Sequence, residues 1–276
     1  MSVKWGFIGA GFVATKAVAP AVHAANNATL FAVASQDYNR AAALAPQKVY
    51  ERYEDLLADP EIAAVYINLA NHQHCQWTIA ALAAGKHVLC EKPLALNHQQ
   101  VREMADAATK YNRVLVEAVC NQWHPRFARI VELVSGGEIG AINKIQSSFC
   151  FPAKIENNYR LETSMGGGSL LDVGVYQVHL WKALSQNEPE LNIESLTRKV
   201  GSTGVDLTTQ LSGRLSNGVK VSALSSFEAP EQQELVISGE LATIECLGND
   251  AFTSWNKPSS MRIGDHFQEF ASVDPY

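Results

Sequence analysis

The sequence predicts an α/β protein whose N-terminal part is a doubly wound parallel sheet, followed by an α+β part with a mostly antiparallel open sheet. Three observations predict this fold class. The chain opens with an apolar strand, a glycine-rich turn and a helix; strands and helices then alternate up to about residue 120; and extended segments separated by turn residues follow residue 190. Strands alternating with helices imply a parallel sheet. We therefore expect one domain over residues 1–120 and a second over residues 121–276.

The first strand, 3–8, is followed by the segment GAGFVA at positions 9–14. In this G-x-G-x-x-A pattern the first glycine permits a tight turn, the second lets a pyrophosphate approach the backbone, and the alanine allows close packing of helix on strand. The helix that follows presents unpaired N–H groups to the phosphates. The segment predicts a Rossmann-type dinucleotide site that includes Gly9, Ala10, Gly11, Phe12 and Val13.

The other elements of the first domain follow from the hydrophobic pattern. Asn97 has the side chain of an N-cap residue, and Gly85 fits the C′ position of the helix before it. The predicted strands are 29–34, 63–69, 88–90 and 113–119, and the predicted helices are 39–45, 73–84 and 97–111.

The end of the second strand bears on the choice of cofactor. An acidic residue directly after this strand would bind the ribose 2′-hydroxyl of NAD, but Ser35 stands there, followed by Gln36. Ser35 can donate to a 2′-phosphate and Arg40 can add positive charge, whereas Asp37 favours NAD. On balance these residues favour NADP. The alternative is that Ser35 only caps the next helix.

A lysine stands at the carboxyl end of a predicted strand, in the segment Glu91-Lys92-Pro93. Ligands of open α/β sheets bind outside the carboxyl ends of the strands, and the proline restricts the turn. Hydride transfer makes or consumes an alkoxide, so its site needs a proton donor and a cation beside that oxygen. We expect Lys92 to face the ligand crevice. A lysine in a surface turn would be the better interpretation without the glycine-rich segment.

The segment after the strand 63–69 contains two histidines and a cysteine, His72, His74 and Cys75. This spacing could hold two metal ligands, but no second cluster is visible and hydride transfer to nicotinamide needs no metal, so we predict no metal site. We prefer a cofactor-lining loop that begins at Leu69 and places Asn71 and His74 beneath the nicotinamide.

The second half has the pattern of an α+β domain. Residues 125–134 form an amphipathic helical pattern that ends at a Ser-Gly-Gly segment, and Asn217-Gly218 is typical of a hairpin turn. The predicted strands are 141–151, 205–215, 219–227, 234–238 and 242–247.

The composition argues against several classes of function. The chain has 276 residues, of which 47% are hydrophobic, and its net charge is −6 with no basic block, which disfavours a nucleic-acid partner. Five dispersed cysteines without a C-x-x-C motif fit a reducing compartment. The first strand leaves no room for a signal peptide, and no apolar run approaches membrane-spanning length. We expect a cytoplasmic protein without a membrane partner.

Four segments together resemble the glucose-fructose oxidoreductase / inositol dehydrogenase / rhizopine catabolism (Gfo/Idh/MocA) family over essentially the whole chain. They are the glycine-rich turn, Asn71-His72-Gln73-His74, the Glu91-Lys92-Pro93 segment and the stretch GGGSLLDVGVYQVH at 166–179. The resemblance implies an NAD(P)-dependent oxidoreductase acting on a sugar, polyol or related small hydroxy or carbonyl compound. It assigns Lys92 as the catalytic lysine and Asp172 as the aspartate after the glycine triplet.

The resemblance also implies the dihydrodiol dehydrogenase-like branch, because Tyr176 stands where several family members have an acid/base histidine. Asp172 and Tyr176 are spaced i, i+4, so on one helix they share a face, and His179 one turn further supports them. The structural alternatives are a charge at a helix N-terminus for Asp172 and buried packing for Tyr176 and His179.

The family often has an aromatic residue or arginine near the cofactor where Trp123 stands, so the resemblance implies that Trp123 contacts the cofactor. Glu91, from the Glu91-Lys92-Pro93 segment, is a further expected cofactor residue. The alternative is a core tryptophan followed by a helix-capping histidine, His124. Candidates for the substrate pocket outside the motifs are Arg126, Tyr159 and Arg160.

Two departures from the family pattern are visible. Leu69-Ala70 replaces the usual Thr-Pro, and the chain ends at Asp274-Pro275-Tyr276, a segment after which relatives usually continue for several tens of residues. We expect exposed apolar surface or altered oligomerisation as a result. The family further implies a homodimer or higher homo-oligomer through the open sheet. Competing interpretations are an NAD-dependent glycosidase of the same fold and a non-catalytic NAD(P)-binding sensor.

Overall fold

The computed structural model describes residues 2–153, 158–185 and 190–276. The chain forms two units, one made of Met1–Ala118 together with Tyr276 and the other of Val119–Pro275.

The first unit is built on a six-stranded parallel sheet with the strand order β3-β2-β1-β4-β5-β6. This order is that of a doubly wound dinucleotide-binding sheet, in which ligands bind at the carboxyl ends of the strands. The predicted Rossmann-type fold is therefore confirmed. The strands are β1 Val3–Ile8, β2 Ala28–Ala34, β3 Lys48–Tyr50, β4 Ala64–Ile67, β5 His87–Glu91 and β6 Leu115–Ala118.

Helices connect these strands and bury the apolar side chains of the sheet. Asn97 caps its helix by accepting a hydrogen bond from the backbone of Gln100, as expected. Gly85, with φ +79°, ends the preceding helix in a left-handed conformation, as expected of a C′ glycine. The helices are α1 Ala19–Ala24, preceded by a π-helical turn Ala14–Val18, α2 Tyr38–Ala42, α3 Tyr53–Ala58, α4 His74–Ala83, preceded by a 3₁₀ turn Asn71–Gln73, and α5 His98–Tyr111.

The second unit is built on an eight-stranded sheet with the order β14-β13-β12-β11-β7-β10-β9-β8. All neighbouring strands are antiparallel except β7 and β10, which are parallel. The predicted mostly antiparallel sheet is confirmed. The strands are β7 Ile142–Cys150, β8 Leu191–Val200, β9 Asp206–Leu215, β10 Lys220–Ser226, β11 Gln232–Gly239, β12 Thr243–Leu247, β13 Ser259–Ile263 and β14 His266–Phe270.

One face of this sheet is buried beneath two helices, α6 Pro125–Ser135 and α7 Val175–Leu184. A π-helical turn, Leu170–Gly174, leads into α7. The buried face carries apolar side chains such as Ile145 and Ile237, which belong to one core with Leu180 of α7. The opposite face is polar and lines a broad open concavity; its residues include Gln146, Ser148, Gln210, Ser212, Ser222, Leu224, Glu234 and Val236.

Candidate active site

The glycine-rich loop is packed against Asn68, which follows β4. Gly9 has φ +92°, and a Cβ at this position would lie 2.2 Å from the carbonyl oxygen of Asn68. A Cβ at Gly11 would lie 2.2 Å from Asn68 Oδ1, to which the Gly11 N–H donates at 2.8 Å. Both glycines are therefore required by the protein's own packing. Sequence reasoning missed Asn68.

The other residues of this loop begin the first helix. The side chain of Phe12 is 73% exposed, whereas Ala10 is buried. The side chain of Arg40 reaches the loop, where its Nη2 donates to the carbonyl oxygen of Ala10 at 2.6 Å. The structure thus places the Arg40 guanidinium at the glycine-rich loop. The contact of Arg40 with a 2′-phosphate stays a prediction.

The turn after β2 is ordered by its own side chains. Ser35 Oγ accepts a hydrogen bond from the backbone of Asp37, and Asp37 Oδ1 accepts one from the backbone of Arg40. Asp37, not Ser35, is therefore the N-cap of α2, so the alternative in which Ser35 caps the helix is wrong. The reason is spacing, because a cap must stand directly before the first helical residue. Gln36 lies exposed between them.

The loop after β4 places His74 in the interior. Its ring is fully buried, and its nitrogens contact the carbonyl oxygens of Pro93, at 2.8 Å, and Leu69, at 3.0 Å. Burial lowers the pKa of His74, and the charge of Lys92 acts in the same direction. His74 joins the loop that begins at Leu69 to the turn after Lys92. Asn71 is also buried, and the direct contacts of these residues with a cofactor stay predictions.

The Glu91-Lys92-Pro93 segment ends β5, and the bond between Lys92 and Pro93 is cis. Glu91 is buried, and its carboxylate accepts from Tyr66 Oη at 2.5 Å and from the backbone N–H of Lys92 at 3.3 Å. Lys92 is half-buried. The lysine therefore sits at the carboxyl edge of the parallel sheet, where the sequence placed it, on a turn held by His74 and Glu91.

In the second unit, Asp172 is buried and paired with Arg160. Arg160 Nε donates to Asp172 Oδ2 at 2.8 Å, and the guanidinium lies 4.8 Å from the centre of the Tyr159 ring. Burial opposes the charge of Arg160, but the attraction of Asp172, with smaller contributions that include Tyr176, outweighs it and raises its pKa. The glycine triplet permits this arrangement, since a Cβ at Gly167 would lie 2.3 Å from the Arg160 carbonyl oxygen.

Tyr176 and His179 lie on α7. The Tyr176 ring is buried against Phe149 and Phe252, with centroid distances of 5.4 and 6.3 Å. His179 Nδ1 lies 3.0 Å from Gln122 Nε2. Asp172 belongs to the π-helical turn and not to α7 itself, so the i, i+4 argument for a regular helix does not apply to it; Asp172 and Tyr176 are nevertheless both buried.

The structure distinguishes between the alternatives for three residues near the start of the second unit. Trp123 is 70% exposed, so its alternative as a core residue is wrong. His124 caps α6 by accepting from the backbone of Arg126, as its alternative predicted. Arg126 is buried and bonded to Asp250 through Nη1 at 3.2 Å and Nη2 at 2.7 Å. Arg126 is thus a structural residue and not a candidate for the substrate pocket.

Comparison with known proteins identifies the family. Residues 3–119 match the Gfo/Idh/MocA oxidoreductase family, NAD-binding Rossmann fold, and residues 127–245 match the Gfo/Idh/MocA C-terminal domain. The chain belongs to the Gfo/Idh/MocA family. It is therefore an NAD(P)-dependent oxidoreductase, as its sequence predicted.

Two relatives and one solved structure illustrate the match to this Gfo/Idh/MocA protein. It is 36% identical over 238 residues to D-xylose 1-dehydrogenase (NADP(+)) 2 of Haloferax volcanii, and the matched region covers 84% of this chain and 71% of the dehydrogenase. It is 35% identical over 222 residues to trans-1,2-dihydrobenzene-1,2-diol dehydrogenase of Xenopus laevis, covering 76% of this chain and 65% of the relative. The 3-ketoreductase KijD10 of Actinomadura kijaniata, in complex with NADP and TDP-benzene, superposes with a TM-score of 0.90 at 26% identity, covering 100% of this chain and 86% of that one.

Across residues 2–153, 158–185 and 190–276, no group of three or more histidine, cysteine, aspartate or glutamate side chains is arranged to hold a metal ion. Among the helices in those same ranges, none combines the length and apolar character that a membrane span requires.

Proposed function

We propose that this protein transfers hydride between NADP(H) and the hydroxyl or keto carbon of a sugar, polyol or related small compound. The observation that carries the cofactor preference is the contact of Arg40 with Ala10, which holds a guanidinium at the glycine-rich loop beside a turn that begins with Ser35. An arginine here can pair with a 2′-phosphate. The xylose dehydrogenase is named for NADP(+), and the ketoreductase was solved in complex with NADP, so both relatives support NADP. The xylose dehydrogenase also supports a sugar-class substrate.

In this proposal residues 1–120 bind the dinucleotide, and residues 121–276 bind the substrate and form subunit contacts. The bound nicotinamide supplies or accepts the hydride. Tyr176 exchanges a proton with the substrate oxygen, and Lys92 stabilises the negative charge that develops there. Asp172 orients the substrate hydroxyls from its pair with Arg160, and His179 supports Tyr176 from the next turn of α7.

The experiment that tests this function is an assay of NADP⁺ reduction with a panel of aldoses, polyols and vicinal diols. We expect turnover with at least one compound. In Tyr176→Phe kcat should fall roughly 10²–10⁴-fold, the usual contribution of a proton-transfer group. In Lys92→Met it should fall roughly 10²–10³-fold, the usual effect of removing a group that stabilises charge in the transition state. Lys110→Met, which removes an exposed lysine of α5, is the control and should retain activity. Cleavage of aryl glycosides without net NADP⁺ reduction, or unchanged activity in both variants, would contradict the proposal.

We also propose a homodimer formed through the open face of the eight-stranded sheet. The central strands of this face present small polar side chains, with Leu224 between Gln210 on β9 and Ser148 on β7. A broad, open sheet face can pack against the same face of a second copy in a two-fold interface. The five cysteines are buried and none forms a disulfide, which supports a reducing, cytoplasmic location.

A further inference from the structure

A chain of hydrogen bonds crosses the first unit from the glycine-rich loop to the backbone of Lys92. The Gly11 N–H donates to Asn68 Oδ1 at 2.8 Å, and Asn68 Nδ2 donates to Tyr66 Oη at 3.4 Å. Tyr66 Oη donates to Glu91 Oε1 at 2.5 Å. The second carboxylate oxygen, Oε2, accepts from the Lys92 N–H at 3.3 Å. Four bonds thus join the predicted pyrophosphate site to the predicted catalytic lysine.

The direction of each bond follows from which atoms can donate. A backbone N–H only donates, so the amide oxygen of Asn68 faces Gly11 and its NH₂ group faces Tyr66. The Tyr66 hydroxyl accepts that bond and has one proton left, which it gives to Glu91. Burial raises the pKa of Tyr66 well above its ordinary value, and the charge of Glu91 acts in the same direction, so the phenol stays a donor at physiological pH.

The packing around this chain leaves its members little freedom. Tyr66 is fully buried and contacts Phe7 edge to face, with a centroid distance of 4.9 Å. Asn68 is held between the two glycines, at each of which a Cβ would lie 2.2 Å from one of its oxygens. A shift of the glycine-rich loop therefore moves Asn68, and through it the hydroxyl that orients Glu91.

We propose that Tyr66 and Asn68 are positioning residues that couple dinucleotide binding at the glycine-rich loop to the conformation of the Lys92 turn. This inference rests on the proposed function, because it takes the loop as the pyrophosphate site and Lys92 as a catalytic residue. Binding orders the Gly11 N–H, which fixes the Asn68 amide, the Tyr66 hydroxyl and the Glu91 carboxylate in turn. A contiguous bonded network of this kind can carry coupling between two sites of one domain.

The test is hydrogen–deuterium exchange of the full chain, with ADP-ribose and its 2′-phosphate as probes. These probes contain the adenosine and pyrophosphate groups but no nicotinamide, so they cannot protect the Lys92 turn through the nicotinamide ring. In the wild type, saturating probe should slow exchange of the backbone amides of Glu91, Lys92 and Leu94 by about five-fold, the size of effect expected when the free energy of one hydrogen bond is at stake. Pro93 has no amide hydrogen and gives no signal. Tyr66→Phe should still be saturated by the probe, with an affinity weakened by no more than about five-fold, but should show no slowing at the amides of Glu91, Lys92 and Leu94.

Tyr50→Phe is the matched control, because Tyr50 Oη also donates to a carboxylate of this unit, Asp59 Oδ2, at 2.7 Å but lies outside the chain. It should keep the slowing. Asn68→Ala interrupts the chain one step earlier and should lose the slowing even if Tyr66→Phe does not fold. Equal slowing in the wild type and Asn68→Ala, or none in the wild type with probe bound, would overturn the inference alone. Failure of the wild type to bind either probe would overturn the proposed function together with it.

Discussion

At the scale of single residues, two buried histidines make the stability of the protein depend on pH. Burial lowers the pKa of His74 below its ordinary value of 6.5, and burial together with the charge of Arg126 does the same for His124, against a smaller opposite effect of Asp250. Because the folded state resists protonation of these rings, the unfolded chain binds more protons once the pH falls below about 6.5. The free energy of unfolding therefore decreases as the pH falls through this window.

His124→Asn tests this dependence. Asparagine is a good N-cap, so it replaces the bond that His124 Nδ1 accepts from the Arg126 N–H without adding a titrating group. We expect the variant to lose less stability than the wild type between about pH 7 and pH 5, by about 1.4 kcal/mol for each unit of pKa shift removed. Urea denaturation at several pH values measures it. If the free energy of unfolding had the same pH dependence in the two proteins, the pKa of His124 would not be lowered in the folded state.

Motif residues could be predicted from the sequence, and residues that act through distant partners could not. Gly9, Gly11 and Lys92 were found because local spacing and position after a strand determine where they lie. The partners of Asn68 and Arg160 were not predicted. Asn68 accepts from the backbone N–H of Gly11, and Arg160 donates to the carboxylate of Asp172, and each partner lies outside the segment in which the residue stands. No local pattern records such a contact.

At the scale of elements, the helical segment that carries Asp172 and Tyr176 begins at a carboxylate from the neighbouring sheet. Asp206 Oδ2 accepts from Ser169 Oγ at 2.7 Å, from the Leu170 N–H at 2.9 Å and from Thr209 Oγ1 at 2.7 Å. A carboxylate at this end of a helix satisfies an unpaired backbone donor and interacts favourably with the helix dipole.

We predict that Asp206→Ala lowers the free energy of unfolding by about 2–3 kcal/mol, because three donors lose their acceptor. Chemical denaturation measures the effect. Asp265→Ala, in the exposed turn between β13 and β14, is the control and should change stability by less than about 0.5 kcal/mol. If both variants were equally stable, Asp206 would not anchor the start of this helical segment.

Element predictions succeeded where hydrophobic periodicity was strong and failed where elements were short or exposed. The predicted strand segments correspond to β1, β2, β4, β5, β6, β7, β9, β10, β11 and β12, and the predicted helical segments to α2, α4, α5 and α6. Residues 48–50 were missed because three residues carry no period, and β8 was missed because nearly all of its residues are exposed, including Ile193 and Leu196. The two π-helical turns depart from the period of 3.6 residues on which helix prediction depends.

At the scale of the whole molecule, the division into a parallel and a mostly antiparallel sheet was predictable, but the strand order of the second sheet was not. β7 pairs with β10 in parallel and with β11 in antiparallel orientation. Alternation of buried and exposed residues is the same for both orientations, so only the three-dimensional structure distinguishes them.

The proposed dimer predicts a defined response to a charge on the open sheet. Leu224→Arg places a guanidinium at the centre of this face, where a second copy would bury it without a partner. We expect light scattering to give the mass of two chains for the wild type and of one chain for the variant. Thr109→Arg, on the exposed side of α5, should leave the mass of two chains. A wild type with the mass of one chain would contradict the proposed interface.

The central claim is that the glycine-rich loop and Arg40 bind NADP(H), and equilibrium titration with NADPH and with NADH, followed by nicotinamide fluorescence, tests it most directly. We predict that NADPH binds at least about ten-fold more tightly than NADH, and that Arg40→Ala weakens NADPH binding by a similar factor while leaving NADH binding unchanged, as loss of one charged hydrogen bond requires. Arg52→Ala, which removes an arginine whose side chain is 69% exposed, should change neither affinity. Equal affinity for both cofactors, or an equal effect of Arg40→Ala on both, would contradict the assignment of Arg40, and binding of neither would contradict the cofactor site itself.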